Sequence, residues 1–218
     1  MISAALAPMP APQGPTKQII LIRHGHSLGQ NAKNDGKNRK TDQSLIDAGL
    51  SSKGKTQARN LPKAFDISNI PLIVSSPLTR ALQTAAIIFK NRADTTTIIV
   101  HFHIREIGSG IPENQPRAIK AVLRDLPFIT DGAFQEVESI DTSLQPDNWP
   151  DVGSQIDKAD ELANFKTWLY HERAEEIIAV ICHHNVIVTL LDGQMGRIDN
   201  CDPIRCTLDS NGRLVLGD

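Results

Sequence analysis

Short runs of branched aliphatic residues, each ending in polar residues, recur along the chain and predict its strands. They cover 19–22, 70–74, 97–104 and 176–182. Apolar runs of this length are typical of strands that are covered on both faces. Segments predicted to be helices follow them, at 53–61, 77–89, 115–125, 154–173 and 186–191, and those at 77–89 and 154–173 have apolar residues at helical spacing. The alternation predicts an α/β protein: a three-layer α/β/α sandwich with a mainly parallel sheet.

Local signals place the ends of several elements. Ser51 or Ser52 can cap the first long helix, and Pro77 suits the first turn of the next one. In the alternating run at 97–104, His101 and His103 fall on one face, where we expect core or surface histidines.

Sequence patterns also predict the last two strands and the first loop. Residues 204–208 and 213–216 predict a hairpin, because Asp209-Ser210-Asn211-Gly212 between them is a strong turn sequence. The polar segment 27–44 is predicted to be a loop over the strand ends. It contains the densest group of cations in the chain, Lys33, Lys37, Arg39 and Lys40, which form either a solvated loop or an electropositive rim for an anionic substrate.

The domain organisation follows from two atypical segments. Residues 1–16 are rich in Ala and Pro and are expected to be a flexible tail. Residues 125–157 contain eight Asp or Glu and no Lys or Arg, with scattered prolines, which indicates an inserted loop or lid rather than sheet. We therefore expect a single domain over 17–218, with a lid around 108–157.

Composition limits the function classes. A net charge of −2 and a pI near 6.4 over 218 residues give no support for a nucleic-acid or membrane-surface binder. No apolar run approaches the ~18 residues of a membrane span. Three unpaired cysteine positions suit a reducing compartment, so a cytoplasmic location is expected. The oligomeric state is left open.

Chemistry-bearing residues follow the predicted strands. Arg23-His24 and His183 each end a strand, Arg80 follows another, and Glu106 stands at a fourth polar end. Ligand crevices of open α/β sheets lie outside the carboxyl ends of the strands. Together these groups could transfer a phosphoryl group: an imidazole attacks phosphorus, cations stabilise its oxygens, and a carboxylic acid protonates the leaving group.

The same pieces resemble the histidine phosphatase superfamily, which has the phosphoglycerate mutase-like fold. They occur in the family's order and span residues 17–216. The matching segments are Leu21-Ile22-Arg23-His24-Gly25, Asp47-Ala48-Gly49-Leu50-Ser51 with Gly54 and Gln57-Ala58, Val74-Ser75-Ser76-Pro77-Leu78-Thr79-Arg80-Ala81 with Gln83-Thr84-Ala85, Arg105-Glu106-Ile107, and Val180-Ile181-Cys182-His183.

The resemblance implies specific roles. His24 would be the phosphorylated nucleophile and Glu106 the proton donor, while Arg23, Arg80 and His183 would bind the phosphoryl group. It implies a small phosphorylated substrate and neither a cofactor nor a metal.

The chain departs from the family pattern at three places. His26 replaces the usual Glu, Gln or Thr, and Gln30 stands where the family has Asn, so either Gln30 or Asn31 could contact phosphate. His184 follows the second catalytic His, where one branch has an Asp donor. This leaves Glu106 as the acid, and His184 is expected to point away from His183.

Three alternatives remain at the level of sequence. A phosphoglycerate mutase lacks support, because the Glu-Ser-x-Trp-Asn run of the glycolytic mutases is missing and the lid segment has no cations; only Lys33, Lys37 and Lys40 could supply them. A barrel amidohydrolase could bind metal through His24-Gly25-His26 and His183, although the chain is short for the ~250-residue barrel. A domain that binds phosphorylated ligands without turnover is the third alternative.

Overall fold

A seven-stranded sheet lies at the centre of the protein, in a computed structural model that describes residues 14–90, 97–108, 110–129, 139–147, 149 and 157–217. Its strands lie in the order β4-β3-β2-β5-β1-β6-β7. They are β1 Lys17–Arg23, β2 Leu72–Ser75, β3 Thr97–Val100, β4 Ser139–Asp141, β5 Ile177–Cys182, β6 Pro203–Leu208 and β7 Leu214–Leu216. The first five strands pair in parallel, and β6 and β7 form the antiparallel edge.

Helices cover both faces of the sheet. They are α1 Leu28–Asn31, α2 Ser52–Ala64, α3 Thr79–Phe89, α4 Ile119–Ile129, α5 Lys158–His171 and α6 His184–Leu190. Apolar side chains of α2, α3 and α4 pack on one face, and those of α5 and α6 pack on the other. Alternate residues of one strand divide between the two cores: Ile19 and Leu21 face one, Ile20 and Ile22 the other. The predicted three-layer α/β/α sandwich is therefore confirmed.

Several predicted boundaries need correction. The third strand ends at Val100 rather than Ile104, because Phe102–Ile104 forms a 3₁₀ helix in which the His103 N–H donates to the His101 side chain (3.3 Å). The helix predicted at 115–125 lies at Ile119–Ile129 instead. The segment predicted to be free of sheet contributes β4, which pairs in parallel with β3 at the sheet edge.

Two further corrections concern the elements nearest the strand ends. Pro77 precedes α3 rather than starting it, and the helix begins at Thr79 because the distant Asp47 carboxylate accepts the Thr79 N–H (2.8 Å). The loop predicted at 27–44 begins with a short helix, α1, which Ser27 and Gln30 stabilise as a capping box.

Other predictions are confirmed within the described ranges. Ser51 caps α2, and β6 and β7 form the expected hairpin. The helix predicted from 154 begins at Lys158, and residues 150–156 lie outside the described part. Most of the predicted tail and much of the predicted lid also lie outside it, so the domain division stays a prediction. Every helix in the described ranges is too short or too polar to cross a membrane.

Candidate active site

The parallel pairing brings three polar strand ends to one edge of the sheet. Arg23 on β1 lies opposite Cys182 on β5, and Ser75 on β2 lies opposite Ile181. The ladder continues one step further, since His24 N–H donates to the Cys182 carbonyl (3.0 Å). The ring centroids of His24 and His183 are consequently 5.1 Å apart.

His24 is held in one tautomer by its neighbour. Its Nδ1 lies 2.7 Å from the Gly25 carbonyl, which can only accept, so Nδ1 carries the proton. The neutral ring therefore presents the lone pair of Nε2, which Arg80 Nε–H faces at 3.2 Å. Burial, and then the Arg80 charge, hold the pKa of His24 well below 6.5. The imidazole is therefore neutral near pH 7, with a lone pair available on Nε2.

His183 faces the same space from β5. Its Nε2 lies 2.7 Å from the Ser76 hydroxyl at the end of β2. Its Nδ1 is buried and has no hydrogen-bond partner among the described residues. Burial lowers the pKa of His183 well below 6.5, with further contributions from Arg80 and His24. A buried ring nitrogen without a partner is uncommon and points to a ligand position.

Arg80 is buried in the floor of the site with all parts of its guanidinium engaged. Besides His24, it donates to the Glu113 carbonyl and to the Asn114 side-chain oxygen (2.8 Å). Arg23 donates to the Ile198 carbonyl (2.7 Å) and has a buried Nε–H without a described partner. Two guanidiniums and two imidazoles thus gather at one point.

Glu106 lies beside these cations and is largely buried. Burial raises the pKa of Glu106 above 4.5, against the opposing effects of Arg80 and Arg23. One carboxylate oxygen accepts the N–H of Ile107 (2.9 Å). A carboxyl group whose pKa is raised by burial is suited to hold a proton and deliver it.

Gln30 and Asn31, the two candidates for a further phosphate contact, behave differently. Gln30 exchanges hydrogen bonds with Asn200 (3.3 Å), whose amide also donates to the His24 carbonyl (2.7 Å). Asn31 instead donates to both carboxylate oxygens of Asp35 (2.9 Å). The geometry brings Gln30 toward the site and does not bring Asn31 there.

Close packing explains Gly25, which follows His24, and Gly54, in the first turn of α2. A Cβ on Gly25 would lie 2.7 Å from the Gly54 carbonyl, and a Cβ on Gly54 would lie 2.1 Å from the His26 carbonyl. The Gly25 N–H also donates to Thr84 of α3 (3.0 Å). The turn after β1 is therefore clamped between α2 and α3.

The side chain of His26 belongs to this clamp. Its Nδ1 hydrogen-bonds the Ser51 hydroxyl (2.9 Å), and the backbone N–H of His26 donates to the Gln57 side-chain oxygen (2.9 Å). His184 begins α6 and keeps a buried Nδ1 without a described partner. Among the described residues, no three His, Cys, Asp or Glu side chains are arranged as metal ligands.

Comparison with known families agrees with this geometry. A sequence profile of the histidine phosphatase superfamily (branch 1) matches residues 19–212. The chain belongs to the histidine phosphatase superfamily. The fold also excludes the amidohydrolase alternative, because an open sheet with two antiparallel strands is not a closed parallel barrel.

Solved structures of other histidine phosphatase-like proteins share the fold at low sequence identity. The mycobacterial glucosyl-3-phosphoglycerate phosphatase is 20% identical with a TM-score of 0.58, covering 93% of this chain and 98% of its own. A phosphoserine phosphatase from Entamoeba histolytica is 19% identical with a TM-score of 0.55, covering 92% and 95%. The α-ribazole phosphatase from Shigella flexneri is 19% identical with a TM-score of 0.54, covering 92% and 94%. No curated protein sequence matches the chain significantly.

Sequence reasoning missed several residues that complete the histidine phosphatase site. Ser76 lay inside a recognised segment but had no assigned partner, and it contacts His183. Glu113 and Asn114, which hold Arg80, lie in a short 3₁₀ helix (Pro112–Asn114), and Asn200, which holds His24, lies in a turn; no spacing rule relates them to the strand ends. Only the three-dimensional contacts identify them.

Proposed function

We propose that this histidine phosphatase hydrolyses a small phosphomonoester through a phosphohistidine at His24, without a metal or cofactor. The observation that carries the proposal is the fixed tautomer of His24. Its Nδ1 proton is held by the Gly25 carbonyl, so the Nε2 lone pair is directed into the space shared with Arg80 and His183.

In the first half of the proposed reaction, Nε2 of His24 attacks phosphorus and the bond from phosphorus to the ester oxygen breaks. Glu106 donates its proton to the departing oxygen, and the alcohol leaves. The Nε–H of Arg80, which faces Nε2 of His24 in the free protein, donates to a phosphoryl oxygen instead, with Arg23 and His183 beside it. The orphaned donor on Arg23 and the orphaned nitrogen of His183 support these contacts.

In the second half, the Glu106 carboxylate removes a proton from a water molecule that attacks the phosphohistidine. The bond between phosphorus and Nε2 breaks, inorganic phosphate forms, and both side chains return to their starting states. The raised pKa of Glu106 supports both directions of proton transfer, because a pKa nearer neutrality favours an acid that must also act as a base.

Gln30 is the proposed additional ligand of the substrate phosphate, and Asn31 is not. The contact of Gln30 with Asn200 supports this choice, because Asn200 also holds the His24 carbonyl. The described cysteines are all free, which supports the expected cytoplasmic location, since such compartments keep thiols reduced.

The proposed reaction is tested with p-nitrophenyl phosphate and a ³²P-labelled sugar phosphate. The parent protein should release phosphate and carry an acid-labile label, and His24→Ala should lose both. His171→Ala, an exposed control on α5, should keep both. Phosphate release without labelling would exclude the phosphohistidine. Label transfer to a second hydroxyl without phosphate release would favour the mutase alternative, and ligand binding without either would favour the non-catalytic one.

The role of the acid is tested separately. In single-turnover labelling, Glu106→Gln should slow phosphorylation of His24 by the sugar phosphate about 10²–10⁴-fold, the range expected for one proton transfer. It should slow phosphorylation by p-nitrophenyl phosphate much less, because nitrophenolate leaves without a proton. Asp160→Asn, an exposed control on α5, should change neither rate. Equal slowing of both substrates by Glu106→Gln would contradict the assignment.

A further inference from the structure

An open cleft of about 480 Å³ lies beside the start of α1. It is lined by Gly29, Gln30, Lys33, Lys37, Asn38, Arg39 and Lys40. We call it the basic cleft, because four of its seven lining residues are cationic and none is acidic. The segment folds back on itself at Gly36, whose φ of +69° allows the Lys37 N–H to donate to the Ala32 carbonyl (2.8 Å). The turn brings the lysines to one concave surface.

The three lysines of the basic cleft have few charged partners among the described residues. Within the described part of the chain, Lys33, Lys37 and Lys40 form no ion pair. Asp35 accepts from Asn31 (2.9 Å), and Asp42 accepts from the Ser44 N–H (2.9 Å). Lys37 donates to the Ser44 hydroxyl (2.8 Å); hydrogen bonds from Ser44, and to a smaller extent the Lys37 charge, lower the pKa of Asp42. Like charges on a concave surface repel each other and concentrate anions from solution.

The basic cleft adjoins the phosphoryl site through two connections. Gln30 lines the cleft and contacts Asn200, which donates to the His24 carbonyl. Arg39 also lines the cleft and donates to the buried Glu113 carboxylate (2.7 Å), while the carbonyl of the same residue accepts from Arg80. The Arg39 charge is close enough to contribute to the lowered pKa of His24.

We infer that the basic cleft is a second anion subsite, which binds a phosphate that the reaction does not transfer. The preferred substrates are therefore small molecules with two phosphates, of which one enters the His24 pocket and the other lies against Lys33, Lys37 and Lys40. Three ammonium groups match a dianionic phosphate better than a single carboxylate. Arg39, fixed by Glu113, borders both positions. This inference rests on the proposed function, because hydrolysis at His24 determines which of the two phosphates enters the His24 pocket.

The test compares matched ligand pairs on the parent protein and on the triple variant Lys33→Gln/Lys37→Gln/Lys40→Gln. Glucose 1,6-bisphosphate and glucose 6-phosphate form the phosphate pair, and 3-phosphoglycerate and glycerol 3-phosphate form the carboxylate pair. On the parent, we expect kcat/KM for the bisphosphate to exceed that for the monophosphate at least tenfold, mainly through KM. The triple variant should reduce this ratio to about twofold or less, because it removes the three charges that bind the second phosphate. A tenfold change in the ratio corresponds to about 1.4 kcal/mol.

A matched control removes the same charge elsewhere. Lys63→Gln/Lys120→Gln/Lys166→Gln changes lysines on α2, α4 and α5 and should keep the ratio at the parental value. Equal losses on both members of the phosphate pair would overturn the proposal, because they would indicate a general field rather than a subsite. A large ratio for the carboxylate pair alone would also overturn it, in favour of a carboxylate subsite.

Calorimetric binding separates this inference from the proposed function. If no phosphomonoester is hydrolysed but the bisphosphate still binds tenfold more tightly than the monophosphate, and the triple variant removes that difference, the subsite stands and the hydrolase proposal fails. If hydrolysis occurs but the bisphosphate has no advantage in KM or in binding, the subsite is wrong and the hydrolase proposal stands.

Discussion

Among single side chains, Arg80 depends on the shape of its guanidinium as well as on its charge. Its three bonds, to His24, the Glu113 carbonyl and Asn114, use the planar shape of the guanidinium. A lysine at this position keeps the charge but has a single nitrogen on a flexible stem. The site therefore requires the geometry of arginine, not only a cation.

We predict that Arg80→Lys lowers kcat/KM for p-nitrophenyl phosphate by about 10²-fold or more, the size expected when one preorganised donor is removed from a transition-state site. Steady-state kinetics measure the effect. Arg124→Lys, which is largely exposed on α4, is the matched control and should leave kcat/KM unchanged. A parental rate for Arg80→Lys would show that charge alone is sufficient.

At this scale the strand ends were predictable from the sequence, and the segments that contact them were not. Arg23, His24 and His183 were predictable because parallel strands place their carboxyl ends together. Asn200 and Glu113 were not, since they contact His24 and Arg80 from segments that are distant in sequence, and no periodicity relates such segments. Gln30 and Asn31 were equal candidates because their side chains could not be oriented from sequence alone.

At the scale of elements, α2 and the turn after β1 meet through backbone atoms rather than side chains. Gly54, in the first turn of α2, lies against the His26 backbone. Helix propensity alone favours alanine over glycine in a helix by about 1 kcal/mol. Steric contact opposes it, because the added Cβ would lie 2.1 Å from the His26 carbonyl oxygen, and backbone cannot move aside as a side chain can.

We predict that the steric effect dominates and that Gly54→Ala lowers the free energy of unfolding by about 3 kcal/mol or more, at or beyond the upper end of overpacking effects. Urea denaturation followed by circular dichroism measures it. The control is Gly196→Ala, where an added Cβ meets nothing within 4 Å; it should stay within about 0.5 kcal/mol of the parent. A stabilised Gly54→Ala would contradict the close contact.

The elements themselves were largely predictable, and their exact ends were not. Apolar runs identified β1, β2 and β5 because these strands are buried on both faces. The edge strand β4 lacked such a run, since Ser139–Asp141 is short and partly polar, and only pairing with β3 defines it. The start of α3 depends on the Asp47 carboxylate, which comes from a loop about thirty residues away and leaves no local signal.

At the scale of the whole molecule, several histidines are buried without charge, which makes folding depend on pH. His101 packs edge-on against Phe165 and near Trp168 in the core beneath α5, and burial lowers its pKa to about 3 from 6.5. Between these two pH values, His101 is protonated in the unfolded chain and neutral in the folded chain. The free energy of unfolding therefore falls as pH falls through this window.

We predict that His101→Phe, which keeps the aromatic contacts, flattens the acid side of the stability curve. Between pH 6 and pH 4 the slope should decrease by about 1.4 kcal/mol per pH unit, the value for one proton. Denaturant titrations at several pH values measure the slope. His171→Phe, at an exposed position on α5, should leave the slope unchanged; an unchanged slope in His101→Phe would exclude His101 as its source.

Cys182 lies inside the sheet, one residue before His183. Its burial predicts that alkylating reagents, which inactivate phosphatases with a cysteine nucleophile, leave this protein active. Burial raises the pKa of Cys182 strongly, and raises the pKa of Cys201 to about 12 and of Cys206 to about 11. Thiols in that state do not react readily, because the thiolate is the reactive form. We expect iodoacetamide at neutral pH to leave the native enzyme unlabelled and fully active, and diethyl pyrocarbonate, which modifies imidazoles, to inactivate it. Loss of activity on alkylation would show that the β5 strand end opens to solvent.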